Sequence, residues 1–456
     1  MHAVADYLSH NQARFLNELF AYLRFPSVSA QSRHQPDMLA CAEWLAEHVR
    51  HIGLQSEVCP TAGHPVVIAK TPRRRGARKP HYLVYGHYDV QPPEPLDLWQ
   101  TPPFEPRIAG RSLFARGSAD NKGQHFAHLK AVEAFLRTGT ELPCDLTFVI
   151  EGEEEVGSKH LAPFLEARKK ELACDGIVIS DTGMPEKNLP ALTCGLRGIL
   201  AFEITLHGPA RDLHSGLFGG AVDNPAMALC QLLGQCRDAQ GRVAIPGFYD
   251  DVRPLTANER DQFARLPMTD AKLKKLLGVP AIFGEAGYLS TERTGARPTF
   301  EINGLTAGYQ GEGSKTVIGA WARAKITCRL VPNQKPERIR KLVLAHLKQI
   351  CPPTVRLEVT AGHGAEAYLV DPAGPQAQAA LRALKSAFGK DPVLLREGGS
   401  IPIVNDMKRI LGADSLLLGL ALPDCDAHSP NEKFDLDCFA KGQLMSAHLW
   451  LELAAI

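Results

Sequence analysis

The sequence predicts an α/β protein with an open, mostly parallel sheet and flanking helices, interrupted by a smaller α+β domain. Three observations support this prediction. Short apolar runs alternate with stretches whose apolar residues recur at the helical period, which is the pattern of successive β-α-β units. After Gly198, apolar residues alternate with polar ones, which indicates strands buried on one face. The chain has 456 residues, which is too long for one ordinary hydrophobic core.

The change of pattern near residue 195 places the domain boundaries. We expect the first domain to comprise 1–195 and 362–456 and the inserted domain to comprise 196–361. In the first domain, strands are predicted over 65–70, 83–85, 146–150, 177–180 and 415–422, and helices over 1–25, 38–52, 376–388 and 439–453, with another starting near 121. In the inserted domain, we predict strands over 199–206, 324–330 and 355–360, a helix over 337–350, and a long irregular segment over 241–299.

Composition limits the partners and the compartment. Lysine and arginine total 51 against 50 for aspartate and glutamate, a balance that attracts neither nucleic acid nor an anionic membrane. The basic run 73–78 is short and lies between strand signals, so we interpret it as a solvated hairpin. The 11 cysteines form no CxxC pair, and we identify no secretory signal or membrane-spanning run, so we expect reduced thiols in the cytoplasm.

Acids and histidines stand at the ends of the predicted strands. They are His87 and Asp89 after the strand 83–85, Asp120 at the start of a helix, Glu153, Glu154 and Glu155 after 146–150, Asp181 after 177–180, and His428 after 415–422. An open α/β sheet binds its ligands at the carboxyl ends of its strands. Two imidazoles and several carboxylates suit a divalent ion, zinc first and manganese or cobalt next, and they suffice for two ions that share one carboxylate.

Each of these residues also has an ordinary structural interpretation. His87 and Asp89 could be a loop histidine and a surface aspartate, Asp120 could cap the helix that follows, and the glutamates could cap a surface helix. Nucleophilic chemistry is not supported, because the sequence contains neither a GxSxG elbow nor a recognisable cysteine-protease signature. HExxH is also absent, so the site is not a helix-borne zinc-protease site.

An ordered set of motifs gives the sequence a resemblance to a known family. The motifs are His87-Tyr-Asp89-Val90, Ala115-Arg-Gly-Ser-Ala-Asp120-Asn-Lys-Gly123, Glu154-Glu155-Val-Gly-Ser158, Ser180-Asp181, Asp212-Leu-His214-Ser-Gly216, Arg396-Glu-Gly-Gly-Ser400 and Ala427-His428-Ser-Pro-Asn-Glu432. Together they resemble the M20 metallopeptidases, closest to the branch of the carnosinases and cytosolic nonspecific dipeptidases. The resemblance runs from the N-terminal helix to the last helix. It implies a two-zinc peptidase fold with an inserted lid and dimerisation domain.

The resemblance implies two metal sites that share the carboxylate of Asp120. Their other ligands would be His87 and Asp181 at one site and Glu155 and His428 at the other. Zinc is the first expectation for both ions, and manganese and cobalt are the alternatives, because the same types of ligand accept all three metals.

The resemblance also assigns roles around the metals. Its pattern Glu-Glu-x-Gly-Ser is anchored here by the Gly-Ser pair at 157–158, which makes Glu154 the general base and leaves Glu153 outside the motif. Asp89 would fix the tautomer of His87. Together with the metals, Glu154 would activate a water molecule for attack on a peptide carbonyl.

Further residues are assigned by the resemblance to the oxyanion and to the substrate. His214 would donate a hydrogen bond to the oxyanion in the site of the other subunit of a homodimer. Thr316, Arg329 and Ser400 would hold the free carboxylate of the substrate, and the planar fork of an arginine suits a carboxylate. His363 matches a substrate-binding position of the family less closely.

The chain departs from the family pattern at three positions. The family usually has a second Asp where this chain has Asn121, and the bond before that Asp is a cis peptide; the sequence leaves open whether the Asp120–Asn121 bond is cis. Ala115 replaces a Gly and Gly319 replaces a Pro. None of the three departures removes a predicted ligand.

The resemblance implies a dipeptidase that uses two divalent metal ions and acts on dipeptides with a free C-terminal carboxylate. The alternative within the same family is an N-acyl- or N-carbamoyl-amino-acid amidohydrolase, which shares the metal site and differs in the substrate pocket. A more remote alternative, from a different class, is a binding or assembly protein that keeps the fold without catalysis. A silent relative is expected to lack Glu154 or a metal ligand, whereas this sequence retains each of them.

Overall fold

The computed structural model of the protein describes residues 1–72, 79–399, 401 and 403–456. The basic run 73–78, interpreted above as a hairpin, and the predicted binding residue Ser400 lie outside the described residues. The chain forms two compact units. The first comprises Met1–Cys194, Val370–Leu395 and Pro402–Ile456, and the second comprises Gly195–Leu369 and Arg396–Ile401.

The elements are numbered along the chain. The strands are β1 (Gln55–Cys59), β2 (Val66–Lys70), β3 (His81–His87), β4 (Arg107–Ala109), β5 (Ser112–Phe114), β6 (Asp145–Glu151), β7 (Gly176–Ile179), β8 (Ala191–Leu196), β9 (Gly198–His207), β10 (Leu213–His214), β11 (Thr299–Ala307), β12 (Val317–Ile318), β13 (Trp321–Leu330), β14 (Arg356–Ala365), β15 (Tyr368–Leu369), β16 (Val393–Glu397), β17 (Ser415–Leu417) and β18 (Lys433–Asp435). The helices are α1 (His2–His10), α2 (Gln12–Leu23), α3 (Gln35–His51), α4 (Lys122–Thr138), α5 (Leu161–Ala167), α6 (Ser215–Phe218), α7 (Pro225–Gly234), α8 (Ala257–Ala264), α9 (Asp270–Leu277), α10 (Ser290–Ala296), α11 (Pro336–Ile350), α12 (Pro375–Phe388), α13 (Ile403–Leu411) and α14 (Leu436–Ala454).

The main sheet of the first unit has the strand order β1-β2-β6-β3-β7-β17-β8. β3 runs parallel to β6 and to β7, and β17 runs parallel to β7. β1 and β2 add an antiparallel edge to this parallel centre. The predicted α/β sheet with flanking helices is therefore confirmed. The carboxyl ends of β3, β6, β7 and β17 lie along one edge of it.

The parallel strands form because their sequences are apolar on both faces. Leu83 and Val84 of β3, Phe148 of β6 and Val178 of β7 are fully buried. Such continuous apolar runs are typical of parallel strands that helices cover on both sides. The helix α4 packs against β3, and α14 packs against α4. Trp450 of α14 is fully buried in the same core.

The second unit contains an antiparallel sheet with the order β11-β13-β9-β14. Alternate residues of β13, such as Ala324 and Ile326, are buried in a core to which α7 and α11 contribute. The unit continues beyond the predicted boundary at residue 361, because β14 extends to Ala365 and β15 pairs with the end of β8.

Three predicted elements differ from the observed ones. The helix predicted over 1–25 is two helices, α1 and α2, separated at Asn11, whose side-chain amide donates a hydrogen bond to the carbonyl oxygen of Tyr7 at 2.8 Å. The strand predicted over 415–422 ends at Leu417. The segment 241–299, predicted to be irregular, contains three short helices, and α8 begins with a capping box between Thr256 and Glu259.

None of the helices within the described residues combines the length and the apolar character needed to cross a membrane.

Candidate metal centre

The parallel strands bring the predicted ligands to one edge of the sheet. His87 is the last residue of β3, and Asp181 comes two residues after β7 ends. Glu155 lies in a short 3₁₀ turn after β6, and Asp120 lies just before α4. His428 lies between β17 and β18 in a backbone conformation with φ of 65°. Residues that are far apart in the sequence thus meet because parallel strands end at the same edge.

Two groups of side chains share Asp120. In the first group, His87 Nε2 lies 3.1 Å from Asp120 Oδ1 and 3.6 Å from Asp181 Oδ2. In the second group, His428 Nε2 lies 2.8 Å from Asp120 Oδ2 and 3.4 Å from Glu155 Oε2. Within each group, one ligand atom from each residue lies within 4.8 Å of the others. One oxygen of Asp120 therefore faces each group.

The residues present fit a pair of divalent cations. His87 Nε2 is buried and has no hydrogen-bond partner among the described residues, although two carboxylates lie close to it. A buried nitrogen without a partner is costly unless another group satisfies it, and a cation would do so. Two imidazoles with three carboxylates form a donor set that suits zinc, manganese or cobalt.

The electrostatics of the site also favour bound positive charge. Burial raises the pKa of Glu155 to about 10, and the nearby carboxylate of Asp120 adds to the effect. Burial likewise raises the pKa of Asp181. For His87, burial disfavours the imidazolium, but the carboxylates of Asp181, Asp120 and Asp89 outweigh it and raise its pKa. Crowded acids of this kind ionise readily only when positive charge is supplied.

Asp89 supports both the histidine and the glutamates. His87 Nδ1 lies 3.0 Å from the backbone carbonyl oxygen of Asp89 and donates a hydrogen bond to it, so Nε2 is the nitrogen that faces Asp120 and Asp181. The buried carboxylate of Asp89 accepts hydrogen bonds from the backbone N–H groups of Glu154 and Glu155, at 3.3 and 3.1 Å, and from the hydroxyl of Ser29 at 2.7 Å. The sequence predicted the link to His87 but not the support of the glutamate turn.

The three adjacent glutamates have different surroundings. Glu155 belongs to the second group of ligands. Burial raises the pKa of Glu154 well above its usual value. The carboxylate of Glu153 instead lies 2.8 Å from His160 Nδ1 and accepts a hydrogen bond from the backbone N–H of His64. Glu153 thus has partners of its own outside the two groups.

The loop that carries Asp120 is held by a buried ion pair that sequence reasoning missed. Glu432, which is fully buried, accepts hydrogen bonds from the backbone N–H groups of Gly117, Ala119 and Asp120 at 2.8 to 3.0 Å. It also pairs with Arg116 Nη1 at 2.9 Å. Arg116 and Glu432 both belong to the sequence motifs described above. Their positions in those motifs were the signal from which a role near the site could have been predicted.

Asp120 does not cap the helix that follows it. The N-cap position of α4 belongs to Asn121, and no side chain makes a capping hydrogen bond there. The peptide bond between Asp120 and Asn121 is cis. The carboxylate of Asp120 is directed to His87 and His428 instead.

Four of the predicted oxyanion and substrate residues belong to the second unit. His214 is exposed, and its Nδ1 accepts a hydrogen bond from the backbone N–H of Gly216 at 3.0 Å. It neighbours Thr316, because β10 pairs with β12 and the carbonyl oxygen of Thr316 accepts a hydrogen bond from the backbone N–H of Ser215 at 3.1 Å. His363 is exposed on β14.

Arg329 lies half-buried on β13, and its register partner on β9 is Ile199. Burial lowers the pKa of Arg329. Burial and the charge of Arg329 together lower the pKa of Arg197 to about 10. The guanidinium groups of Arg197 and Arg329 therefore lie close enough for their charges to interact.

Two groups of potential metal ligands that share a carboxylate, at the carboxyl edge of an α/β sheet, are an arrangement that suits a two-metal hydrolase. Residues 83–452 match the family model described as peptidase family M20/M25/M40. The chain therefore belongs to this peptidase family, and the resemblance of its sequence motifs is confirmed.

Similar proteins cover nearly the whole chain. The Cys-Gly metallodipeptidase dug1 of Schizosaccharomyces pombe is 30% identical over 99% of this chain and 98% of its own length. The beta-Ala-His dipeptidase of Rattus norvegicus is 29% identical over 99% of this chain and 95% of its own length. The solved structure of human carnosine dipeptidase 1 has a TM-score of 0.87 and 29% identity, and the match covers 99% of this chain and 98% of that one.

Proposed function

We propose that this protein is a metal-dependent dipeptidase that hydrolyses dipeptides with a free C-terminal carboxylate. The observation that carries this proposal is the position of Asp120, whose two carboxylate oxygens face His87 at 3.1 Å and His428 at 2.8 Å. That geometry suits a bridging carboxylate between two divalent cations. The dipeptidases among the similar proteins support the choice of substrate.

We assign His87 and Asp181 to one cation, Glu155 and His428 to the other, and Asp120 to both. Zinc is the proposed metal, because imidazole and carboxylate ligands in small numbers suit it. When bound, the cations would supply Lewis acidity, which lowers the pKa of water and polarises a peptide carbonyl group.

Glu154 is the proposed general base. It accepts the proton of the attacking water and passes that proton to the amine that leaves, which is the role of a carboxyl group with a raised pKa. Burial raises the pKa of Glu154, and the backbone N–H of Glu154 is held by the carboxylate of Asp89 at 3.3 Å. Asp89 therefore positions both the base and His87.

The family resemblance supports further assignments in the second unit. His214 donates a hydrogen bond to the oxyanion in the site of the partner of a homodimer, and the second unit is the lid and dimerisation domain. Arg329, Thr316, Ser400 and, less directly, His363 bind the substrate. The charges of Arg197 and Arg329 interact, and the planar fork of an arginine suits a carboxylate.

A reducing compartment such as the cytoplasm is proposed as the place where the protein works. All eleven cysteines carry free thiols. The balance of 51 basic and 50 acidic residues supports a small peptide substrate over nucleic acid or membrane as the partner.

Replacement of Glu154 tests the mechanism. We expect Glu154→Gln to keep its metal and its fold and to lose about 100- to 10,000-fold in kcat, because general acid-base catalysis contributes that much. Glu153→Gln is the matched control and is expected to retain activity, because Glu153 pairs with His160 outside the metal groups. Unchanged hydrolysis by Glu154→Gln would exclude the assignment.

A substrate panel separates the dipeptidase from the amidohydrolase alternative. We expect hydrolysis of dipeptides and its loss after treatment with a chelator, with recovery when zinc is returned. Turnover of acetyl- or carbamoyl-amino acids without turnover of dipeptides would support the amidohydrolase instead.

A further inference from the structure

Two neutral amide side chains contact the metal-binding groups, one at each group. Asn121 Nδ2 donates a hydrogen bond to Asp181 Oδ1 at 2.9 Å. Gln91 Nε2 donates a hydrogen bond to Glu155 Oε2 at 2.7 Å. Asp181 and Glu155 are the carboxylates that belong to one group each, whereas Asp120 is shared by both. Each unshared carboxylate therefore has its own amide donor.

Asn121 ties together two ligands of the first group. Its side chain is fully buried, and its Oδ1 accepts a hydrogen bond from the backbone N–H of His87 at 3.2 Å. Its Nδ2 donates to the backbone oxygen of Ser180 as well as to Asp181. Asp181 Oδ1 is thus held by the amide, while its Oδ2 lies on the side of His87. This single side chain therefore links the backbone of His87 to the carboxylate of Asp181.

Gln91 ties the second group to the end of β3. It follows Asp89 and Val90, and the backbone N–H of Val90 donates to the carbonyl oxygen of Ser27 at 2.9 Å, which anchors this loop. From there the half-buried side chain of Gln91 reaches Glu155 and contacts its Oε2 atom. The same Oε2 atom lies 3.4 Å from His428 Nε2.

The neutrality of the two donors matters for binding a cation. A hydrogen-bond donor fixes the position of the carboxylate oxygen that it contacts. A lysine or arginine in the same place would provide the donor but would also compensate the negative charge that attracts the cation. A primary amide holds the carboxylate oxygen in place and leaves its charge available.

We propose that Asn121 and Gln91 are positioning residues, each of which sets the cation affinity of one of the two sites through the carboxylate that it holds. The proposal rests on the metal ligands assigned under the proposed function. It assigns Asn121 to the site of His87 and Asp181, and Gln91 to the site of Glu155 and His428.

Zinc binding by two variants tests the proposal. Gln91→Met keeps the length of the side chain and removes the donor. Asn121→Leu, which is similar in size to asparagine, removes both the donor to Asp181 and the acceptor for the backbone N–H of His87. We expect each variant to bind zinc about 10- to 100-fold more weakly at one site only, because partners that orient a ligand contribute that much. Competition with a chromophoric chelator measures the affinity, and anomalous diffraction at limiting zinc shows which position loses occupancy.

Gln376→Met is the matched control, because Gln376 Nε2 also donates one hydrogen bond, to the carbonyl oxygen of Asp175 near the opposite end of β7. It is expected to bind zinc as the unchanged protein does. If Asn121→Leu does not fold, Asn121→Ser, which is smaller and keeps a hydroxyl, replaces it.

The outcomes separate this inference from the proposed function. If the unchanged protein binds no zinc at these residues, the metal assignment itself is wrong. If it binds two zinc ions and both variants match its affinities, the amides do not position the ligands. Equal weakening of both sites in both variants would also overturn the proposal, because it would indicate a general loss of structure.

Discussion

Asp120 illustrates how one side chain depends on residues from distant parts of the sequence. Its oxygens face His87 and His428, and its backbone N–H is held by Glu432, which lies 312 positions away along the chain. Glu432 also pairs with the buried Arg116. The positive charge of Arg116 therefore compensates the negative charge of the carboxylate that holds the loop. A bridging position therefore requires support for the backbone as well as the right side chain.

His48 illustrates a different use of burial, because it stays neutral beside a cation. Its ring stacks between Trp44 and Phe126, with centroids 5.0 and 5.2 Å away, and Lys130 Nζ donates a hydrogen bond to its Nε2 at 2.8 Å. Burial and the charge of Lys130 lower the pKa of His48 to about 3. Between about pH 3 and the usual value of 6.5, the unfolded chain therefore binds a proton here that the folded protein does not.

This difference predicts how stability depends on pH. Above about pH 6.5, we expect the titration of His48 to leave the free energy of unfolding unchanged. Below about pH 6.5, we expect it to lower the free energy of unfolding by up to about 1.4 kcal/mol per pH unit. His48→Gln keeps an acceptor for Lys130 and removes the titration. Urea unfolding of both proteins at about pH 7, 6 and 5 measures the effect. A stability difference between the two proteins that does not change with pH would contradict the assignment.

At the scale of elements, the segment after β17 has to pass very close to the segment after β7. Leu418 N donates to the carbonyl oxygen of Ile179 at 2.8 Å, and Gly419 follows against the backbone of Thr182. A Cβ atom on Gly419 would lie 2.2 Å from the carbonyl carbon of Thr182. Because Thr182 follows Asp181, this contact lies directly beside a predicted ligand.

Gly419→Ala is therefore expected to destabilise the first unit by roughly 1–3 kcal/mol, since the clash is with backbone atoms that cannot turn away. Gly234→Ala is the control, because a Cβ atom there meets nothing within 4 Å. Denaturant unfolding followed by intrinsic fluorescence compares the two variants. Equal stability of Gly419→Ala and the unchanged protein would show that the backbone relaxes.

The N-terminal helices show how polar groups also hold elements together. Lys130 and Glu133 of α4 are fully buried and form ion pairs with Glu18 and Arg14 of α2. Tyr7 of α1 also donates a hydrogen bond to Glu133 at 3.1 Å. The sequence predicted a helix for this segment, whereas the buried ion pairs depend on a partner helix over 100 positions away.

At the scale of the whole molecule, the distribution of thiols gives a prediction about the oxidation state of the chain. Cys230 is exposed, Cys174, Cys351 and Cys425 are half-buried, and the other seven cysteines are buried. We expect a thiol reagent to modify about one cysteine rapidly in the native protein and all eleven after denaturation without reductant. Fewer than eleven reactive thiols in freshly purified, denatured protein would contradict a reducing compartment.

Much of the fold could be predicted from local patterns. The apolar strands near Leu83, Phe148 and Val178 were recognisable because each is buried on both faces. The helices α3, α11, α12 and α14 were recognisable from their period. The break at Asn11 and the helices α8 to α10 were missed, because a single turn residue and short polar helices produce little periodic signal.

The sequence by itself determined the residue types of the metal centre, the strands after which they stand and, through its motifs, the peptidase family. Only the tertiary structure decided which atoms meet: that each oxygen of Asp120 faces a different histidine, that Asp89 holds the glutamate turn, and that two amides contact the unshared carboxylates. The physical reason is that periodicity and composition report local burial, whereas hydrogen bonds between distant loops depend on distances of a few tenths of an ångström that only the packed chain sets.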